Sequence, residues 1–238
     1  MALYREQGIV LRTWKLGEAD RIINLVTHGR GKVRAVAKGV RKTKSRFGAR
    51  LEPTGHVALQ LYEGRELDTV TQAESIDQFG VFRTDLDRFT KASAMLEAVD
   101  QVAQERETNP QLYHLLLGAL RALSAHDSAL VAPGFFLKLL ALEGYRPMVE
   151  HCVECGREDD LVAFSALDGG ALCSGCRRGS AMSPEALTLL RQILGGQLGA
   201  ALNESVSPAT HEVDLLATDA LEHHLERRLR SVGIIDQS

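Results

Sequence analysis

Four cysteines and a dense run of cations are the residues of this 238-residue chain whose types and spacing can do chemistry. The cysteines read Cys152-x-x-Cys155, then 17 residues, then Cys173-x-x-Cys176, and they are all the cysteines the chain has. Each Cys-x-x-Cys turn can bring two sulfurs to about 2.3 Å from one ion, and two such turns complete a tetrahedron with no position left for water. A closed thiolate shell is structural, so the spacing predicts a Zn2+ held by Cys152, Cys155, Cys173 and Cys176. Two disulfides are the alternative, disfavoured in a reducing cytoplasm. His151 borders the site but is surplus to four sulfurs.

The cations lie in the first third of the sequence. Residues 1–80 carry 14 Lys and Arg against 9 Asp and Glu, a balance of +5, while residues 81–238 carry 14 against 22, or −8. From Arg30 to Arg50 there are nine basic residues and no acidic one. Such a block repels itself unless a polyanion lies against it. Alternation in GKVRAVAKG places Lys32, Arg34 and Lys38 on one face of a strand and Val33, Ala35 and Ala37 on the other. The following loop adds Arg41, Lys42, Lys44, Arg46 and Arg50 around Phe47. Phosphates pair with such cations while bases stack on a ring, which suits single-stranded nucleic acid. Phe47 either serves that stacking or folds back into the core. Trp14, beside Arg12 and Lys15, poses the same choice.

The elements that must position these groups change period near residue 80. Before it, five β-branched runs (8–14, 21–28, 31–39, 56–64 and 67–75) are separated by Gly, Asp, Pro and basic turns. Five strands with the longest, basic connection between the third and fourth predict an OB-fold barrel; an SH3-like barrel would look similar. After residue 84, apolar residues recur at helical spacing, with Leu86, Phe89, Ala92, Leu96, Val99 and Ala103 on one stripe. Asn109-Pro110 is read as the end of that helix. Further helices follow over 111–126 and 132–144, one opens at Ser183-Pro184-Glu185, and a last spans 211–231. The sequence therefore divides into an N-terminal barrel over residues 1–80 and an α-helical domain over 81–238, with a zinc knuckle or ribbon at about 148–182.

Composition excludes several classes. With 45% hydrophobic and 25% charged residues the chain is an ordinary globular one. No apolar run reaches the length of a membrane span and the opening residues lack a signal's apolar core, so a cytoplasmic location is expected. Nucleotide-binding glycine loops, the G-x-S-x-G elbow and H-E-x-x-H are missing, and the histidines of the last helix have no fitting partners, so no enzyme is indicated.

The residues GIVLRTWKLGEADRIINLVTHGRGKVRAVAKGVRKTKSRFGARLEP, and later FFLKLLALEGYRP followed by C-x-x-C-G, resemble the bacterial recombination mediator family RecO along the whole chain. The resemblance implies an N-terminal OB-fold, a helical bundle and a zinc-bearing element in the C-terminal half. It implies a protein without turnover, associated with the nucleoid. Such a protein binds single- and double-stranded DNA, anneals complementary strands, contacts single-strand-binding protein and joins RecR to help load recombinase onto gaps. Residues Lys38 to Arg50 match the family's DNA-binding region. Two departures stand out. This chain has Glu52-Pro53-Thr54 where many members have Gln-Pro-Phe, and some members lack the cysteines. A generic RNA- or single-strand-binding barrel with a zinc ribbon is the alternative reading.

Overall fold

The computed structural model describes residues 2–42, 45 and 47–230. They pack into two compact units, the described residues up to 124 and residues 125–230. The first unit is built on strands β1 (Leu3–Leu16), β2 (Asp20–Thr27), β3 (Gly31–Ala37), β4 (His56–Tyr62) and β5 (Asp68–Asp77). These close in the order β1-β2-β3-β5-β4, with β4 returning to β1 and β3 running parallel to β5, which is the OB-like barrel the strand spacing predicts. Inward alternation fills the barrel with Val10, Ile23, Leu25, Val33, Ala35, Val57, Leu59, Leu61 and Val70. A bulge at Leu11 shifts the β1–β2 register between Val10 and Arg12, so Ile9, Val10 and Leu11 are buried in succession.

Helices α1 (Leu86–Val102) and α2 (Pro110–Ala125) follow. Asp85 caps α1, its carboxylate accepting from the Arg88 N–H. The buried face of α1 is Ala92, Met95, Leu96 and Val99, whereas Leu86 and Phe89, expected on that stripe, are exposed. Asn109-Pro110 does not end α1. The Asn109 side chain accepts from the Leu112 N–H at 3.0 Å and Pro110 is the first residue of α2, the position where a missing N–H costs nothing.

What joins α1 to the barrel is the stretch after it. Lys32 N–H donates to the Gln104 carbonyl at 3.1 Å and Arg106 N–H to the Lys32 carbonyl at 3.0 Å, which continues the sheet along β3 where β5 does not reach. Gly31 makes this possible. Its φ is +64°, and a Cβ there would sit 1.8 Å from the Glu107 carbonyl oxygen. A second tie is Asp68, buried at the start of β5. Its carboxylate accepts from the Tyr4 hydroxyl at 2.5 Å, the Gly64 N–H at 2.9 Å and Arg106 at 3.2 Å.

The second unit holds α3 (Val131–Leu142), a three-stranded sheet of β6 (Leu161–Ser165), β7 (Gly170–Cys173) and β8 (Ser180–Ala181) in the order β7-β6-β8, and then α4 (Pro184–Leu194), α5 (Leu198–Ala201) and α6 (Pro208–His224). The Ser183 hydroxyl accepts from the Ala186 N–H, with Pro184 at the first helical position, as the Ser-Pro-Glu signal predicts. Helix α6 begins three residues before the expected start. Ser207 and Thr210 form a reciprocal capping box there, a polar device that apolar periodicity does not register.

Gly31→Ala is expected to lower the stability of the first unit by roughly 3 kcal/mol, since it combines a left-handed φ with a backbone clash. Gly17 is the control, because its φ is +59° but a Cβ at that position would meet no atom within 4 Å. Urea titration of Gly31→Ala and Gly17→Ala should give a clearly larger loss at Gly31; equal losses would show that the approach of Glu107 is not what fixes that residue.

Candidate nucleic-acid interface and metal centre

At one end of the barrel the β1–β2 turn and the β3–β4 connection are fastened to each other. The Arg41 N–H donates to the Ala19 carbonyl at 2.9 Å, and its guanidinium to the Gly17 and Glu18 carbonyls at 3.3 and 3.0 Å. The Gly39 N–H donates to the Asp20 carboxylate at 2.7 Å. The two loops therefore form one ordered rim, with Lys38, Arg41 and Lys42 exposed on one side and Lys15 on the other. Arg12 lies 4.9 Å over the half-exposed Trp14 ring on the same hairpin, a stacked cation and indole beside the rim.

The predicted cations are not equally displayed. Lys32 is drawn against α1: its ammonium donates to the Asp100 carbonyl at 2.7 Å and lies 3.9 Å from the Asp100 carboxylate, leaving its side chain 15% exposed. It is not presented to a phosphate. Arg34 is half-exposed with Glu105 at 3.6 Å, and Arg30 pairs with Glu63 at 3.7 Å. The counter-charges of the basic block thus come from Glu63, Asp100 and Glu105, remote in sequence. Arg50 is half-buried and donates to the Phe47 carbonyl at 3.2 Å. Lys44 and Arg46 lie outside the described residues.

Phe47, which its basic surroundings offered as a stacking ring for DNA, takes the inward alternative instead. It is 1% exposed and packs with Val40 and Leu51 in the barrel core. A ring in a strongly basic loop gains more from burial, about 2 kcal/mol, than from waiting in water for a base. It anchors the connection that carries the cations.

Sequence reasoning missed a groove of about 900 Å³ between the barrel and α2, lined by His28, His56, Tyr113 and His114 with Arg5 and Glu6. His56 is buried and bonds the Tyr113 hydroxyl at 2.7 Å. Burial, and then Arg121, hold the His56 imidazole below its ordinary pKa, so it is neutral. The cations of this groove, Arg5 and Arg121, are matched by Glu6 and Glu74, so it lacks the rim's excess of positive charge.

In the second unit the two Cys-x-x-Cys turns meet. The first follows α3 and is held to the sheet by the Val153 N–H, which donates to the Ala171 carbonyl at 3.0 Å; the second leaves the end of β7. Gly156, at φ +76°, donates to the Cys152 carbonyl at 2.9 Å and closes the first turn. The four sulfurs lie within 4.8 Å of one another, with Cys155 and Cys173 3.7 Å apart. A tetrahedral zinc–thiolate site has sulfur–sulfur edges of about 3.8 Å. The donor set therefore fits such an ion, and among the described residues it is the one group whose ligand atoms converge in this way. N–H groups of Cys155 and Cys173 push the Cys152 thiol well below its usual range, as a thiolate ligand requires. Hydrogen bonding to Cys155, and then burial, push the Cys176 thiol the other way.

Arg178 closes this element from outside. It donates to both Asp168 oxygens at 2.7 and 2.8 Å and to Glu154 at 2.7 Å, joining the first cysteine turn to the β6–β7 turn. The guanidinium, followed by Ser165, holds the Asp168 carboxyl down to about 2. A depressed carboxyl contributes stability that is present above its unfolded value near 4 and lost as pH falls through the folded value. Acid unfolding of the second unit should therefore include a component between about pH 4 and 2 that disappears in Arg178→Met. Circular dichroism of both proteins across that window checks it.

Taken together, the chain is an OB-like barrel with a basic rim, followed by a helical domain braced by four clustered cysteines. Two family models cover it: Recombination protein O N terminal matches residues 1–79 and Recombination protein O C terminal matches residues 83–232. Curated proteins named DNA repair protein RecO are similar over full length. That of a Nocardioides species is 48% identical across 99% of this chain and 100% of the relative. Those of Streptomyces coelicolor and Thermobifida fusca are 45% and 42% identical across 100% of both chains. The chain belongs to the RecO family of DNA repair proteins, as the sequence motifs suggested.

Proposed function

We propose that the protein is a non-catalytic recombination mediator. It binds single- and double-stranded DNA through residues 1–80, anneals complementary strands, and acts with RecR to help load recombinase onto gaps coated with single-strand-binding protein. The observation that carries this reading is the fastened rim of the OB-like barrel. Lys38, Arg41, Lys42 and Lys15 are exposed there on two loops locked by backbone and guanidinium hydrogen bonds. Loop backbones already fastened beneath these cations lose little freedom on meeting a phosphate, so counterion release is retained as affinity. Lys44 and Arg46 continue the same connection in sequence, while Arg34, paired with Glu105, and Arg50, turned onto the Phe47 carbonyl, contribute less. A nucleoid-associated, cytoplasmic site of action follows from such a role, and among the described residues no helix is long and apolar enough to cross a membrane.

The ion of the four-cysteine site is zinc on this reading, and its work is mechanical. Arg146, Arg157 and Arg178 beside the site are already engaged by Glu150, Asp159, Asp160 and Glu154, and Glu158 adds further negative charge, so little positive charge is left there for a phosphate backbone. DNA is therefore held by the barrel, while the metal stabilises the second unit.

Combining Lys38→Glu, Arg41→Glu and Lys42→Glu should weaken binding to all single-strand sequences alike and reduce the salt slope of log K by about 2, at roughly 0.7 per lost contact. Fluorescence anisotropy at several salt concentrations measures this, and an unchanged slope would remove the rim from the DNA path. Annealing of complementary strands coated with single-strand-binding protein, followed by duplex formation, tests the mediator role itself. Preference for RNA over DNA of equal length would favour the generic module instead. Chelation or Cys155→Ser should lower the melting temperature before it lowers DNA affinity, with one equivalent of zinc released per chain.

A further inference from the structure

A recess of about 420 Å³ opens beside the basic rim, within the first unit. Phe82 and Phe89 supply its apolar wall, Thr13 and Arg21 come from the β1–β2 hairpin, Pro53, Thr54 and Gly55 from the end of the β3–β4 connection, and Gln78 and Arg83 from the turn before α1. Neither the family match nor any relative's name assigns it a role.

Its two sides are rigid and locally strained. Thr54 is β-branched, 5% exposed and held at φ 72°, its N–H donating to the Val10 carbonyl at 3.0 Å while Val10 N–H donates to Gly55. Next to the lining Phe82, the buried Phe79 stands at φ 42° with its ring 5.6 Å from that of Phe82. Non-glycine residues at such angles persist only where surroundings over-determine them, and they concentrate at ligand sites. Phe89 is 43% exposed and Leu86 75% exposed at the start of α1, an apolar edge left open among the described residues.

Charge continues from the rim into this edge. Lys15 lies two residues from Thr13 on the same face of β1 and opposite Arg21 on β2, so the face that is apolar at Ile23 becomes cationic as the hairpin leaves the core. Arg21 is spent on Glu52 at 2.6 Å. Lys15 and Arg83 form no ion pair among the described residues and are exposed. An aliphatic side chain in the recess would leave Thr13, Gln78 and the Arg21–Glu52 pair facing apolar surface. A nucleobase matches both halves, since its faces are aromatic and its edges carry donors and acceptors.

We propose that this recess is a nucleobase slot, in which one unstacked base of a bound single strand lies against Phe89 and above Phe82 while flanking phosphates meet Lys15 and Arg83. The proposal rests on the DNA-binding reading of the rim and adds a base-dependent contact to it. The slot is indifferent to sequence, because every base has an aromatic face.

The test compares an oligonucleotide of mixed sequence with an abasic strand of the same length and phosphate count, using the full-length protein. Wild-type protein should bind the base-bearing strand roughly five- to tenfold more tightly, the scale of one stacked base. Phe89→Ala, at an exposed position, should reduce that preference while leaving the affinity for the abasic strand in place, and Phe89→Trp should restore it. Because Trp14 could also stack a base, the outcome that decides is the change in preference at Phe89. Equal binding of both strands by wild-type protein, or a preference untouched by Phe89→Ala, would overturn the slot and leave the rim's role standing. Failure of either strand to bind in a salt-dependent way would overturn both.

Discussion

Strand β3 is short of partners over its first half, and the stretch that follows α1 supplies them. Lys32 exchanges backbone hydrogen bonds with Gln104 and Arg106, and its ammonium turns onto Asp100. That contact decides more than the docking of a helix. It removes one cation from solvent and brings Glu105 to Arg34, so the excess of positive charge is left at the other end of the strand, at Lys38, Arg41 and Lys42. Asn24 joins the same carboxylate at 3.1 Å from the neighbouring strand. A face that would otherwise be uniformly basic becomes polarised, with neutralised charge under α1 and unopposed charge at the loops.

The second unit solves a different problem. Its sheet has three short strands, one of only two residues, and could not bury enough surface to order two cysteine turns by itself. One arginine gripping two carboxylates ties these turns to the sheet through charge-assisted hydrogen bonds, and four sulfurs converge at a separation that could hold a metal ion. Neither device needs a large core.

Much of this was legible in the sequence, for identifiable reasons. All five strands appear at the expected places because inward alternation and turn residues both report them, and the cysteine spacing specified a convergence that the sulfurs display. What was not legible depends on contacts across long stretches of chain. The basic block looked unopposed because its acids sit at positions 63, 100 and 105. Phe47 looked available because its neighbours are charged, yet the connection folds inward at the point where its one large apolar group can enter the core, beside Leu51. Leu86 and Phe89 satisfied a helical stripe by spacing but stand at the exposed start of α1, Phe89 on the wall of an open recess rather than in the core. Asn109-Pro110 carries the same letters whether it stops one helix or starts the next.

The seam along β3 also separates inheritance from folding. The family divides after residue 79, where one sequence module gives way to another, whereas the packing of the chain divides after residue 124. A barrel ended at the family boundary would leave the N–H and C=O of Lys32 without Gln104 and Arg106, an open strand edge of the kind that recruits another chain. The two modules are therefore not interchangeable parts. The stretch around 104–106 is bound to the N-terminal module by geometry although it is counted with the C-terminal one.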